Sequence, residues 1–347
     1  MEVTRESVII DNEGRGEGLK MSRKHFSKVG WMYVAGTILI YIVQLVPLVL
    51  VEVLQPSWAS NSNATMLVSM LPMYLIGMPA LMLLLKQIPA EHLEQRKMKT
   101  GQFVVAAIMC FAVMYVSNII GTIITTTIGA VKGSEVQNQI LNITADLNVL
   151  TIFFIMVICA PIMEELIFRK FLVDRTVRYG QGVAVVLSGL MFGLFHGNLN
   201  QFVYAFALGV FLAYLYVKTG NLKITIALHM IINFFGGVVS TQLIELINLD
   251  EYYSLVAEGM DMDAMMNYFM EHLAGWAVYF IYVLFILGVM IAGIVLLIVN
   301  LVKKRFTLNS GEIVIPKGKR FSTVILNAGM IVYCIIWIAM IIAQLFA

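Results

Sequence analysis

The chain has 347 residues, of which 60% are hydrophobic and 13% charged, with a formal net charge of +2. Soluble domains carry roughly a quarter charged residues, so the composition excludes an ordinary soluble domain; the net charge itself says little, and no nucleic-acid partner is expected. What remains is an all-α, polytopic membrane protein whose surroundings are the lipid bilayer.

Crossing the hydrocarbon layer takes about 20 apolar residues per helix. Nine segments meet that need, at 30–54, 66–86, 102–127, 149–174, 182–198, 199–217, 223–240, 275–302 and 323–346. The shortest is the fifth. All but one of the 23 Lys and Arg fall in alternate connections, Lys132 being the exception. The positive-inside rule then puts the N-terminus in the cytoplasm and the C-terminus outside. The expected setting is the plasma membrane.

In chain order, residues 1–28 read as a flexible cytoplasmic tail, with Gly14, Gly16 and Gly18 among charges and no apolar signal segment. Three N-terminal membrane helices follow over 29–130, with Glu52 their one acid near an outer end. The polar stretch 131–148, with interspersed Val, Ile and Leu, reads as an outer amphipathic segment. Residues 149–240 hold four spans and most of the membrane-embedded polar groups. An acidic extracytoplasmic loop spans 241–274, with Leu243, Ile244 and Ile247 near helical spacing, and two membrane helices close the chain over 275–347. Cys110, Cys159 and Cys334 all lie within spans, without CxxC spacing, and read as small core hydrophobes.

The fourth span contains "CAPIMEELIFRKFL", with Glu164, Glu165 and Arg169 in six residues. A charge at the centre of a membrane helix costs about 2.5–3.5 kcal/mol on insertion scales, and such residues mark functional sites. Glu165 and Arg169 are four apart with the acid first, the favoured order for a helical ion pair. Glu164 is rotated about 100° from Glu165 and faces elsewhere, so it needs a different reason to be there.

Of five histidines, His25, His92 and His272 lie in polar or edge positions and read as solvated. His196 and His229 lie in or beside apolar spans, with Phe192 one turn before His196 and Asn233 one turn after His229. Counting at 1.5 Å per residue places Glu164 about 17–20 Å into the membrane, His196 at a similar depth, and His229 about 9 Å past Lys223. Gly189, Gly193 and Gly197, spaced by four, form a stripe that lets helices approach closely.

A buried carboxylate beside a histidine can activate water and return the proton to a leaving amine. His229 and Asn233 can donate hydrogen bonds to an oxyanion. The same Glu164, His196 and His229 could instead hold a divalent metal such as zinc, with an open position for water. No HExxH, GxSxG or GxGD is present. A proton- or ion-coupled transporter would use the same residues differently, but the halves of the chain show no inverted repeat.

The order EExxxR (Glu164, Glu165, Arg169), FxxxH (Phe192, His196) and HxxxN (His229, Asn233) on consecutive apolar spans resembles the CAAX protease and bacteriocin-processing family of intramembrane proteases, over roughly 149–240. The resemblance implies a helical core with a site open to the cytoplasm. It implies peptide-bond hydrolysis in which Glu164 and His196 activate water while His229 and Asn233 stabilise the oxyanion. Glu165, Arg169 and Phe192 are then supporting residues. The expected substrate is a membrane-associated or prenylated peptide or protein, and a glutamate-type reaction without cofactor is favoured over a metal-dependent one. A membrane scaffold or immunity protein that keeps this fold without proteolysis is the other expectation.

Overall fold

The computed structural model describes residues 12–257, 259 and 261–346. Among them no strand forms, and eight helices are long and apolar enough to cross a membrane. In chain order the main helices are α1 (Asn12–Leu54), α2 (Ser62–Leu85), α3 (Thr100–Lys132), α4 (Val149–Tyr179), α5 (Gln181–Phe195), α6 (Leu199–Thr219), α7 (Leu222–Leu246), α8 (Leu249–Ala257), α9 (Met262–Glu271), α10 (Leu273–Val302) and α11 (Ala328–Phe346). The expected acidic segment forms the end of α7 with α8 and α9, and a short helix, Gln139–Ala145, lies in the stretch expected to be amphipathic.

The fifth expected span is α5, only 15 residues and thus about 22 Å long, short of the roughly 30 Å hydrocarbon layer. Its end is set locally. Gly197 adopts a left-handed φ of +66°, a conformation that suits glycine, and Asn198 accepts from the Gln201 amide at 2.9 Å to start α6. The chain therefore reverses directly after His196, leaving that residue at the tip of a helical hairpin, at the end of α5 away from the basic Arg175–Arg178 connection.

Gly189 and Gly193 explain how tightly this hairpin closes. A Cβ at Gly189 would collide with Val210, and one at Gly193 would press on Phe202 and Phe206. The α5–α6 pair lies between two apolar clusters. One gathers Phe26, Tyr33, Phe168, Phe192 and Tyr333 from α1, α4, α5 and α11. The other gathers Cys110, Phe111, Leu212, Leu228 and Ile286 from α3, α6, α7 and α10. Away from these clusters the helices present exposed apolar side chains, such as Ile38, Ile42, Leu45 and Val49 on α1 and Phe280, Ile281, Leu284 and Ile291 on α10. Apolar patches of that extent have no place in water and fit lipid.

The basic connections gather at one end of the bundle. The segment after α2 runs extended across the ends of α4 and α6, with Glu91 N–H bonded to Asp174 O at 2.6 Å and Arg96 N–H to Thr219 O at 2.7 Å. The connection between α10 and α11 does the same, Ile313 N–H reaching Arg178 O at 3.0 Å. Lys132 stands apart from these, its ammonium on Leu345 O near the C-terminal end of α11.

Three expectations are modified. The first helix begins at Asn12, inside the segment expected to be a flexible tail, because Ser22, Phe26 and Val29 pack inward; residues 1–11 lie outside the described residues. His25 is not simply solvated: Nε2 lies 2.8 Å from Arg175 O, where it caps an open carbonyl at the end of α4. His272 likewise meets Glu251 at 3.3 Å.

Candidate active site

Two stretches of α4, Phe153–Cys159 and Leu166–Phe171, are wound wider than an α-helix, in a π-helical manner, and the segment Ala160–Glu165 lies between them. A further wide turn, Phe234–Val239, follows Asn233 on α7. Such turns leave backbone carbonyls open to outside donors and recur at functional sites. Here side chains from other helices fill the role. Tyr33 donates to Ile167 O at 2.9 Å, Ser188 to Phe168 O at 2.7 Å and Asn233 to Met156 O at 2.8 Å. The helix that carries both glutamates is thereby tied to α1, α5 and α7. Tyr33 and Ser188 were not singled out by the sequence, since a lone hydroxyl in an apolar helix carries no periodic signal.

Glu165 and Arg169 form the ion pair their spacing suggested. Nε lies 3.1 Å from Oε2, and both side chains are at 0% exposure. The approach is ionic rather than a well-angled hydrogen bond, and among the described residues the guanidinium nitrogens have no hydrogen-bond acceptor. Arg169 rests instead on the face of Phe192, with Cζ 4.5 Å from the ring centroid, a cation–π contact worth about 2 kcal/mol when desolvated.

Phe192 is the hub of the site. Its ring meets His196 edge-on with centroids 4.9 Å apart and His229 edge-on at 5.8 Å, and it packs on Phe168 at 5.3 Å. One ring thus separates the two histidines and floors them with the buried arginine.

The two glutamates are not fully divided by their helical faces. Oε1 of Glu165 takes Nδ1 of His229 at 3.0 Å, while Nε2 of the same ring lies 3.7 Å from Oε2 of Glu164. One imidazole therefore stands between both acids, and Glu165 serves Arg169 and His229 together. Exposure separates the acids: the Glu164 side chain keeps 15% of its surface, whereas that of Glu165 keeps none. Of the two, only Glu164 is reachable from outside the packed helices.

Hydrogen-bond partners fix where protons sit on both rings. Nδ1 of His196 lies 2.9 Å from Phe192 O, and a carbonyl can only accept. The neutral ring therefore carries its proton on Nδ1 and presents a lone pair at Nε2. With Nδ1–H of His229 donated to Glu165, that ring can donate from Nε2 only as an imidazolium.

A zinc site draws on at least three protein ligands. Among the described residues no three His, Cys, Asp or Glu side chains are placed to share one ion. Glu164 and Nε2 of His229 face each other, but two donors fall short of that set.

The fold and this cluster define a helical membrane protein with a buried glutamate–histidine centre. The model of the type II CAAX prenyl endopeptidase Rce1-like family matches residues 146–235, a stretch that contains Glu164, Glu165, Arg169, Phe192, His196, His229 and Asn233. The chain is 26% identical over 220 residues to the membrane-embedded CAAX protease MroQ of Staphylococcus aureus (strain USA300), covering 60% of this chain and 88% of that protein. It is 30% identical over 168 residues to the putative membrane peptidase YdiL of Bacillus subtilis (strain 168), covering 47% of this chain and 66% of that one. No solved structure matches. The chain belongs to the CAAX protease and bacteriocin-processing family of membrane proteases.

Proposed function

We propose that this protein is an intramembrane endopeptidase that cuts a hydrophobic or lipid-anchored peptide, with the prenylated C-terminus of a CAAX-type substrate as the leading class. The observation that carries this reading is the asymmetry of the paired acids. Glu165 is sealed and neutralised by Arg169, while Glu164 remains reachable and faces an imidazole that Glu165 holds in place.

In the proposed reaction, water loses a proton to the Glu164 carboxylate, aided by the lone pair at Nε2 of His196, as its oxygen bonds to the scissile carbonyl carbon. The carbonyl π electrons move to oxygen, which accepts from Nε2–H of the His229 imidazolium and from the amide of Asn233. Collapse re-forms the C=O bond and breaks the C–N bond. The proton held by Glu164 passes to the departing amine. Two donors fall short of a zinc site and amide side chains are poor metal ligands, which supports the glutamate-type reading over the metal-dependent one.

The test uses purified protein in lipid nanodiscs with a panel of farnesylated and unmodified peptides. Glu164→Gln and His196→Ala are each expected to lower kcat by about 10²–10⁴-fold. Turnover that survives both substitutions would sink the mechanism. A chelator is expected to leave the wild-type rate unchanged; loss of activity restored by zinc would favour the metal reading instead.

A further inference from the structure

The bond from Asn233 to Met156 has a cause in the sequence of α4. In the wide turn Phe153–Cys159 the backbone pairs i with i+5, as in the bond from Ala160 N–H to Ile155 O. The next bond in that register would run from residue 161 to Met156 O. Residue 161 is Pro161, which has no N–H to give. The usual α-helical donor for Met156 O would be Ala160, whose N–H is already committed to Ile155. Met156 O has therefore lost both of its intrahelical donors. A carbonyl in that position inside a membrane must find a partner elsewhere, and the amide of Asn233 supplies it at 2.8 Å.

We propose that Asn233 is a positioning residue: its amide replaces the hydrogen bond that Pro161 cannot make, and so locks α7 to the turn of α4 that leads into Glu164. Pro161 lies three residues before Glu164, and Asn233 lies one helical turn after His229. The clamp therefore sets the relative height of the carboxylate and the imidazole that faces it. This role is separate from donation to an oxyanion. The amide has two hydrogens, and Met156 takes one.

The two halves of the arrangement can be exchanged. Asn233→Leu keeps the shape and removes the donor. Pro161→Ala restores an N–H that the existing register aims at Met156 O. In thermal unfolding of the full chain in detergent, Asn233→Leu is expected to lower the melting temperature by roughly 2–6 °C. Pro161→Ala alone is expected to change it by less than Asn233→Leu does, and the double variant to recover at least half of the loss. Equal losses in Asn233→Leu and in the double variant would overturn the proposal, because a generic packing role for Asn233 cannot be rescued from another helix. If the leucine variant does not fold, Asn233→Asp replaces it: a protonated acid can donate to the carbonyl and a carboxylate cannot, so this variant should melt higher at acid than at alkaline pH relative to wild type. A pH-independent difference would refute the clamp.

The melting measurement needs no substrate, so its failure is distinct from failure of the proteolytic reading. A second measurement does rest on that reading. The double variant is expected to regain part of the kcat lost in Asn233→Leu, with KM unchanged. The share of the loss owed to oxyanion donation is common to both variants, so an equal kcat in Asn233→Leu and in the double variant would show that the clamp does not position Glu164, and would overturn that half of the proposal.

Discussion

Replacing Glu165 with glutamine tests how the site divides its two acids. The substitution preserves shape and removes one charge from a fully buried pair, leaving Arg169 at 0% exposure with no hydrogen-bond acceptor among the described residues. Stranding one member of such a pair costs about 3–5 kcal/mol. His229 also loses its charged acceptor at 3.0 Å; a neutral amide oxygen can still accept there, so this second term is about 1 kcal/mol. The contact of Arg169 with Phe192 survives and offsets little of the loss. Glu164→Gln should behave in the opposite way. That side chain keeps partial exposure and has no arginine partner, so its stability change should fall within about 1 kcal/mol, while turnover collapses. The assay is thermal unfolding in detergent, followed by reaction of a thiol dye with the buried Cys110, run beside peptide cleavage. A Glu165→Gln protein that melts like wild type, or a Glu164→Gln protein that unfolds, would refute the division drawn here.

Two further substitutions probe the scaffold. Phe192→Leu removes the cation–π contact and the edge contacts to both histidines, and is expected to cost about 2–4 kcal/mol with a fall in kcat; an unchanged melting profile would show that the ring is not the hub described. Gly193→Val places a branched side chain where the α6 backbone and the Phe206 Cβ leave no space, so it is expected to open the α5–α6 hairpin, with a cost of about 1–3 kcal/mol and loss of cleavage. Size-exclusion chromatography and melting check this, and a well-folded, fully active variant would contradict the packing.

Much of this was legible along the chain because each signal was local. The membrane class followed from the paucity of charge, and the helices from runs of apolar residues matched to bilayer thickness. The ion pair of Glu165 and Arg169 was readable because both residues lie on one helix, where spacing alone decides whether side chains meet. His196 and His229 stood out because a polar ring inside an apolar span demands a partner. The short α5 was the weakest of the expected spans, and the turn at Gly197 shows why: an apolar run says where a helix fits, while a left-handed glycine and an N-cap decide where it stops.

What no spacing rule could supply was the meeting of different helices. The sequence separated Glu164 from Glu165 by a rotation of about 100°, yet His229 arrives from 64 positions away and touches both carboxylates with its two ring nitrogens. Arg169 lies on Phe192, and Asn233 reaches a carbonyl that Pro161 left open. These contacts depend on the depth at which each helix sits and on the wide turns that re-aim its carbonyls. The sequence by itself determined which groups are expensive to bury. Only the packing of α4, α5 and α7 decided which of them face one another, because hydrophobic periodicity orients a single helix toward the protein interior without specifying its height or its neighbour.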